Sequence, residues 1–189
     1  MVSTYAKSSA VAKFYARIFT LVAVERLGQL GRTMPRIIFV ECYAYKTGDG
    51  APVPFMVGER YLPGNFRKYN SNHGYADLEV PGSEVAQAFS HFTFEASRGE
   101  LMVVDLQGVH VEEGHRRPHL ILTDPQVVSK DKSFGPGDLG VAGMRAFFRS
   151  HCCGMTCQRL GLDKDAGRWQ ASQEDGRRCC VCAVDVRPS

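Results

Sequence analysis

The apolar positions in the first third of the chain predict an amphipathic helix followed by a β-hairpin. Between residues 9 and 30 they recur at steps of three and four, which places them on one face of a helix. These positions are Val11, Phe14, Tyr15, Ile18, Val22, Leu27 and Leu30. Residues 37–45 and 53–57 are rich in β-branched and aromatic side chains, and a Gly-Asp-Gly turn at residues 48–50 lies between them. The sequence therefore predicts two paired strands, with Glu59 just beyond the second.

The middle of the chain predicts a loop, a second helix and two short buried strands. Residues 61–75 are rich in proline, glycine and asparagine, which is the composition of a loop. A helix is predicted to start at Ser83, as its N-cap, and to end at Gly99. The apolar runs at residues 101–104 and 120–122 each predict a buried strand.

Both of these strands lead into an aspartate, Asp105 after the first and Asp124 after the second. A charged side chain at the end of an apolar strand is costly to bury unless it emerges into a cleft. Magnesium prefers hard oxygen ligands, so Asp124 and the amide oxygen of Gln107 suit a nucleotide-bound magnesium ion. Asp105 is then left for an acceptor hydroxyl. The alternative is that both aspartates only cap turns, and spacing alone leaves the two interpretations open.

A group of histidines and cysteines predicts a metal site. In a chain without a secretion signal, clustered cysteines beside a histidine indicate metal binding rather than disulfides. The candidate ligands of a closed, tetrahedral zinc site are His91, His151, Cys153 and Cys157. The alternative is that these are buried thiols and core histidines. A second group, formed by Cys179, Cys180 and Cys182, lacks a matched pair of ligands, and no site is assigned to it.

The segment 135–140 fits the pattern G-x-G-x-x-G through Gly135, Gly137 and Gly140. That pattern is typical of nucleotide-binding loops when it follows a strand and precedes a helix. Here no convincing strand precedes it, and the downstream acidic residue of a dinucleotide fold is missing. A plain turn into a helix is therefore the simpler interpretation.

Composition narrows the class of protein only a little. The chain has 189 residues, of which 44% are hydrophobic and 23% charged, as expected for one domain with a real core. The net charge of +3 is spread along the sequence, so nucleic acid is not expected as a partner. No apolar run is long enough for a membrane span or a signal peptide, which predicts a cytoplasmic protein. We expect one domain over residues 1–162 and a polar, disordered tail over residues 163–189.

Several blocks of the sequence, taken together and in this order, resemble the alpha-kinase family of atypical serine/threonine protein kinases. The blocks are residues 65–72, 87–95, 101–109, 123–126, 134–140 and 151–162. The resemblance covers roughly residues 11–162. It implies an α+β, two-lobed protein-kinase-like fold that holds ATP and Mg²⁺ between the lobes and a structural Zn²⁺ in the C-terminal lobe, with a protein as substrate.

The resemblance also implies a role for individual residues. Asp105 matches the catalytic aspartate, and Gln107 and Asp124 match the magnesium ligands. Lys68 and Asn72 match polar residues of the nucleotide and catalytic region. The remaining assignments are Glu59 at the adenine end of ATP, the zinc ligands named above, and Gly135, Gly137 and Gly140 in a loop for the peptide substrate.

Two departures from the family pattern leave alternatives open. The stretch 110–119 is longer than the family's usual connection, and we expect a solvated surface insertion there rather than a further metal or phosphate site. The chain also begins just before the helix that follows the family's ATP-binding lysine, and neither Lys7 nor Lys13 suits that role. The leading hypothesis is an ATP-dependent serine/threonine kinase, with weak activity expected from this chain alone. The alternative hypothesis is a zinc-stabilised pseudokinase that binds a partner.

Overall fold

The computed structural model describes residues 2–48, 55–112, 114 and 116–163, which form five helices and eight strands. The helices are α1 (Val2–Leu27), α2 (Gln29–Thr33), α3 (Ser83–Ala96), α4 (Val141–Ser150) and α5 (Met155–Leu160). The strands are β1 (Arg36–Phe39), β2 (Cys42–Lys46), β3 (Phe55–Glu59), β4 (Phe66–Lys68), β5 (Leu101–Val104), β6 (Gln107–Val111), β7 (His119–Thr123) and β8 (Gln126–Ser129). The predicted tail from residue 164 onward and its cysteines lie outside the described residues.

The first helix buries mostly small residues, and none of the large ones in its predicted apolar stripe is fully buried. Its buried residues are Ser8, Ser9, Ala12, Ala16, Phe19 and Ala23. Most of the predicted apolar stripe lies beside this face and is partly buried, whereas Phe14 is 58% exposed. Alanines let the axis of α1 approach its neighbours closely, and Phe19 then meets the rings of Phe89 and Phe92 on α3 edge to face.

The prediction of one strand over residues 37–45 is wrong, because the chain changes sheets within it. β1 pairs in parallel with β7, while β2 pairs with β3 in the predicted antiparallel hairpin. The burial pattern gives the physical reason: β1 has alternate residues in the core, whereas β2 is mostly exposed. Cys42 lies opposite Glu59 in this hairpin.

Two further local predictions need correction. The predicted loop 61–75 contains β4, three exposed residues that form a strand because β6 offers them an antiparallel edge. Ser83 is not the N-cap of α3, since Gly82 occupies that position and the Ser83 hydroxyl donates to the carbonyl of Asp77 instead. Gly99 follows the end of α3 as predicted, with a positive φ of 76° and its N–H donating to Phe94.

The sheets are arranged so that the helices cover their apolar faces. The order of the largest sheet is β1-β7-β6-β4, and β5-β8 forms a separate pair. One core cluster joins α1 and α3 to β1 and β7, and a smaller one packs α4 against β5 and β8. Although α1 is 26 residues long, neither it nor any other helix in the described ranges has the sustained apolar stretch that crossing a membrane requires.

The stretch 110–119 is not wholly the solvated insertion that we expected. His110 and Val111 belong to β6, and His119 begins β7, opposite Val111. The Arg117 guanidinium donates to the carbonyl oxygens of Met34 and Gly31 at 2.9 and 2.7 Å. These two bonds tie the connection to the segment that follows α1, a contact that sequence composition alone does not show.

Candidate active site

Asp105 and Asp124 lie at a break where one antiparallel ladder, β5 with β8, ends and another, β6 with β7, begins. On one side of the break Val104 pairs with Gln126, and on the other Gln107 pairs with Thr123. The same register therefore holds on both sides, and only two residues on each strand leave the ladder. Both aspartates have a positive φ, 60° for Asp105 and 45° for Asp124, which costs roughly 1–3 kcal/mol each. The backbone is thus bent at both aspartates.

Asp105 is in direct contact with two of the predicted site residues. Lys68 Nζ lies 2.7 Å from Asp105 Oδ1, and Gln107 Nε2 lies 3.4 Å from Asp105 Oδ2. The antiparallel pairing of β4 with β6 places Lys68 opposite Gln107, which explains why the two side chains reach the same carboxylate. Asp105 itself is only 9% exposed, so its charge is screened by these partners more than by water.

Asp124 and Glu59 form the second half of the site. Burial raises the pKa of the Asp124 carboxyl, the charge of Asp105 adds to this effect, and Lys68 opposes it. Burial likewise raises the pKa of the Glu59 carboxyl. Glu59 accepts hydrogen bonds from the hydroxyls of Tyr5 and Thr123. Two neighbouring carboxylates with raised pKa values favour a cation between or beside them.

Tyr5 was not predicted as a site residue. It lies on the first turns of α1, before residue 9, where we expected the helix to begin. Burial, followed by the hydrogen bond to Glu59, raises its pKa, so the phenol stays protonated and donates. A single tyrosine ahead of the apolar stripe gives no signal in the sequence, because the contact with Glu59 depends on how α1 packs on β3.

The glycine segment 135–140 is held by side chains from three directions. Asn72 Nδ2 donates to the Gly137 carbonyl at 2.9 Å, so the residue expected at the nucleotide contacts this loop. From within the loop, the buried Asp138 carboxylate accepts from the N–H groups of Ser129, Phe134 and Gly140. The sequence did not predict that Asp138 would hold this loop, although an aspartate between glycines commonly forms turns.

Lys7 provides the third contact to this loop. Its Nζ lies 2.9 Å from Ser133 Oγ and 4.1 Å from the centroid of the Phe134 ring. The sequence left Lys7 without a role, and the structure places it at the entrance to the glycine segment. The start of α1 therefore contacts the candidate site at two places, through Tyr5 at Glu59 and through Lys7 at Ser133.

The four predicted metal ligands come together at one buried point. His91 comes from α3, His151 follows α4, and Cys153 and Cys157 lie before and within α5. Their ligand atoms all lie within 4.8 Å of one another, and all four residues are buried. The nitrogens of His91 and His151 are 3.2 Å apart, and Cys153 Sγ is 3.7 and 3.5 Å from them. Tetrahedral zinc with ordinary bond lengths separates its ligands by about 3.3–3.8 Å.

The protonation of this cluster also suits a cation. Burial lowers the pKa of His151, which favours the neutral ring that binds metal. A hydrogen bond from the Cys157 thiol lowers the pKa of Cys153, and the same contact raises the pKa of Cys157. One negative charge is therefore already favoured in the cluster, and a divalent cation would allow the second thiol to ionise.

Comparison with known proteins identifies what kind of domain carries this site. Residues 2–157 match the sequence profile of the Alpha-kinase family. Eukaryotic elongation factor 2 kinase of Mus musculus is 46% identical over 111 residues, which cover 58% of this chain and 14% of that protein. Alpha-protein kinase 1 of Dictyostelium discoideum is 37% identical over 131 residues, 67% of this chain and 9% of that protein.

Solved structures agree with the sequence matches. The alpha-kinase domain of myosin-II heavy chain kinase A in complex with AMP-PNP superposes with a TM-score of 0.72 at 30% identity. The superposition covers 88% of this chain and 58% of that domain. The architecture is therefore the α+β fold of a protein kinase domain. The chain belongs to the alpha-kinase family, and it spans only part of the length of each of these relatives.

Proposed function

We propose that this chain carries the catalytic centre of an ATP-dependent kinase that phosphorylates serine or threonine in a protein substrate. The observation that carries the proposal is the pair of neighbouring aspartates at the break between the two ladders, with Lys68 and Gln107 in contact with Asp105. The family match and the likeness to a kinase domain solved with AMP-PNP support it.

Phosphoryl transfer depends mainly on positioning and on neutralising the charge of the phosphates. Asp105 is the residue that accepts the hydrogen bond of the substrate hydroxyl and takes its proton as the new O–P bond forms. Its ion pair with Lys68 fixes the carboxylate and keeps a positive charge at the reacting end of the site. The hydroxyl oxygen would then attack the terminal phosphorus in line with the departing ADP.

Gln107 and Asp124 would hold Mg²⁺. Since Gln107 Nε2 contacts Asp105, its Oε1 is left as a ligand atom, and Asp124 offers a carboxylate whose ionised form is disfavoured without a cation. When bound, the ion supplies positive charge to the phosphates. Glu59 would contact the adenine end of ATP, and the Tyr5 and Thr123 hydroxyls set the orientation of its carboxylate.

The glycine segment would receive the peptide substrate. Gly135 and Gly140 have positive φ values of 87° and 64°, which side chains rarely allow. Asn72 links this loop to the strand region that carries Lys68. The His/Cys cluster would hold a structural Zn²⁺, because its four ligands leave no open position for a substrate.

A phosphate-transfer assay on the full-length protein tests the proposal. With radiolabelled ATP and Mg²⁺, matched peptides that differ only in carrying threonine, serine or tyrosine report the acceptor. We expect transfer to threonine or serine, and Asp105→Ala should lower kcat by about a thousandfold or more. Glu100→Gln is the control, because this exposed residue pairs with Lys130 away from the site. A parent protein without transfer, or an Asp105→Ala variant as active as Glu100→Gln, would refute the assignment.

A further inference from the structure

A buried asparagine holds the residue that separates Asp105 from Gln107. Asn70 is fully buried, and its Oδ1 accepts the N–H of Leu106 at 3.0 Å. The Leu106 carbonyl in turn accepts the N–H of Tyr69 at 2.8 Å. Both backbone groups of Leu106 are therefore bonded to the two residues that directly follow Lys68.

The helix α3 fixes Asn70 from the opposite side. Asn70 Nδ2 donates to Ser90 Oγ at 3.0 Å and to Gln87 Oε1 at 3.4 Å. Gln87 Nε2 completes the network by donating to the Tyr69 carbonyl at 2.9 Å. Because Ser90 and Gln87 occupy the amide nitrogen, the amide oxygen must face Leu106.

This network lies where the strands themselves give no support. The paired registers stop at Val104 and resume at Gln107, so Leu106 is outside both ladders. Asp105, next to it, has a φ of 60°, a conformation that persists only when the surroundings fix it. The bonds from Tyr69 and Asn70 replace the missing ladder bonds at this point.

We propose that Asn70 is a positioning residue for phosphoryl transfer. Its amide fixes Leu106, and through Leu106 it sets the direction in which the Asp105 carboxylate points. Asn70 is buried behind the site and acts only through Asp105, so the proposal rests on the catalytic role proposed for that aspartate. Removing the amide should misplace the carboxylate without removing any group that binds ATP.

The test compares Asn70→Ala with a matched variant of the same helix environment. Thr93 is also fully buried, and its Oγ1 accepts the N–H of Val103, two residues before Asp105. Both Asn70→Ala and Thr93→Val should lower the melting temperature of the full-length protein. Only Asn70→Ala should lower kcat, by roughly tenfold to a hundredfold, with KM for ATP unchanged. Thr93→Val should keep kcat within about twofold of the parent.

Amide hydrogen exchange gives a second readout that needs no kinase activity. In Asn70→Ala the exchange of Leu106 and Gln107 should accelerate, while in Thr93→Val the acceleration should occur at Val103. If Asn70→Ala does not fold, Ser90→Ala removes one anchor of the amide. That variant should lower kcat by about twofold to fivefold, again at constant KM.

Equal kcat in Asn70→Ala and Thr93→Val, or a raised KM for ATP in place of a lowered kcat, would overturn the role of Asn70. If the parent protein transfers no phosphate, the proposed function itself fails. The exchange data then decide separately on Asn70: faster exchange confined to Leu106 and Gln107 supports it as the anchor of this segment, and unchanged exchange refutes it.

Discussion

The His/Cys cluster and the bent ladder both bring polar side chains together, but the cluster buries them whereas the ladder leaves them partly exposed to solvent. In the cluster all four residues are buried and their ligand atoms contact one another. At the ladder, Lys68 is 43% exposed in its side chain, and Asp124 carries a pKa raised by burial and by a neighbouring charge. When buried ligands surround a metal completely, the free energy of metal binding stabilises the folded protein; we call the His/Cys cluster the closed set. The side chains at the ladder, the open set, include a carboxylate whose charge is unfavourable until a cation binds beside it.

The strongest test of this contrast is to remove one ligand of the closed set. The purified protein should contain about one zinc ion per chain. Cys157→Ala should lose the metal and unfold or aggregate, because no small core substitution replaces the free energy of a structural metal site. Elemental analysis and thermal unfolding measure both effects. Cys42→Ala, which alters a free cysteine outside the cluster, is the control and should keep its zinc. A Cys157→Ala variant that lacks zinc but is as stable as the parent would show that the His/Cys cluster does not stabilise the fold through a metal.

Removing Asp124, the proposed magnesium ligand at the ladder, should have the reverse effect on stability. Asp124→Asn should weaken Mg²⁺-dependent ATP binding by about tenfold or more, since a neutral amide is a poorer ligand for this ion. Without Mg²⁺ the variant should be slightly more stable than the parent at pH 7, by roughly 2 °C in melting temperature, because the burial and repulsion of one charge are relieved. Calorimetric titration and thermal unfolding check the two halves. A variant less stable than the parent would show that Asp124 supports the fold.

The raised pKa of Asp124 also predicts the direction in which stability changes with pH. A carboxyl whose pKa is raised on folding binds more protons in the folded than in the unfolded state. Stability therefore rises as pH falls through the raised pKa towards the ordinary pKa of an aspartate. Magnesium affinity should fall over the same pH range, just above the ordinary range for aspartate. Asp124→Asn should lose that part of the pH dependence. Urea unfolding at a series of pH values tests this, and identical curves for variant and parent would contradict it.

Tyr5→Phe should produce a smaller effect at the nucleotide end of the open region. It removes the phenol that donates to Glu59 and leaves the ring in place. We expect ATP affinity to fall by about threefold to tenfold, as for loss of one ordinary hydrogen bond, because the carboxylate keeps its second bond from Thr123. Peptide KM should not change. Competition binding with ATP measures the first quantity, and an unchanged ATP affinity would mean that Tyr5 does not orient Glu59.

Lys7→Gln should give the smallest effect, and at the other end of the site. Lys7 is exposed. Exposed contacts such as those it makes with Ser133 and the Phe134 ring contribute at most about 1 kcal/mol to stability. Peptide KM should rise by about twofold to fivefold, with ATP affinity unchanged. The reverse pattern, weaker ATP binding at constant peptide KM, would place the function of Lys7 with the nucleotide instead.

The sequence identified side chains that come together in both regions, but not the contacts that surround them. Asp105 and Asp124 follow from strand ends, and His151, Cys153 and Cys157 follow from their spacing, which are local signals. His91 was added as the best distant candidate for a fourth ligand. Tyr5 and Asn70 gave no such signal, because each matters through a contact with residues far along the chain. The strand β4 was missed for the same reason, since three exposed residues become a strand only when β6 lies beside them. Long-range packing is the information that composition and periodicity do not contain.

The bent ladder also determines where the chain can accept insertions. Asp105 and Asp124 are held close to each other because the register is preserved on both sides of the break, from Val104–Gln126 to Val111–His119. The connection between Val111 and His119 joins the far end of this hairpin, so its length does not enter the register. One residue added between Leu106 and Gln107 would instead shift the pairing and turn alternate side chains to the other face. Within this hairpin, a change of length between Val111 and His119 should therefore preserve the site.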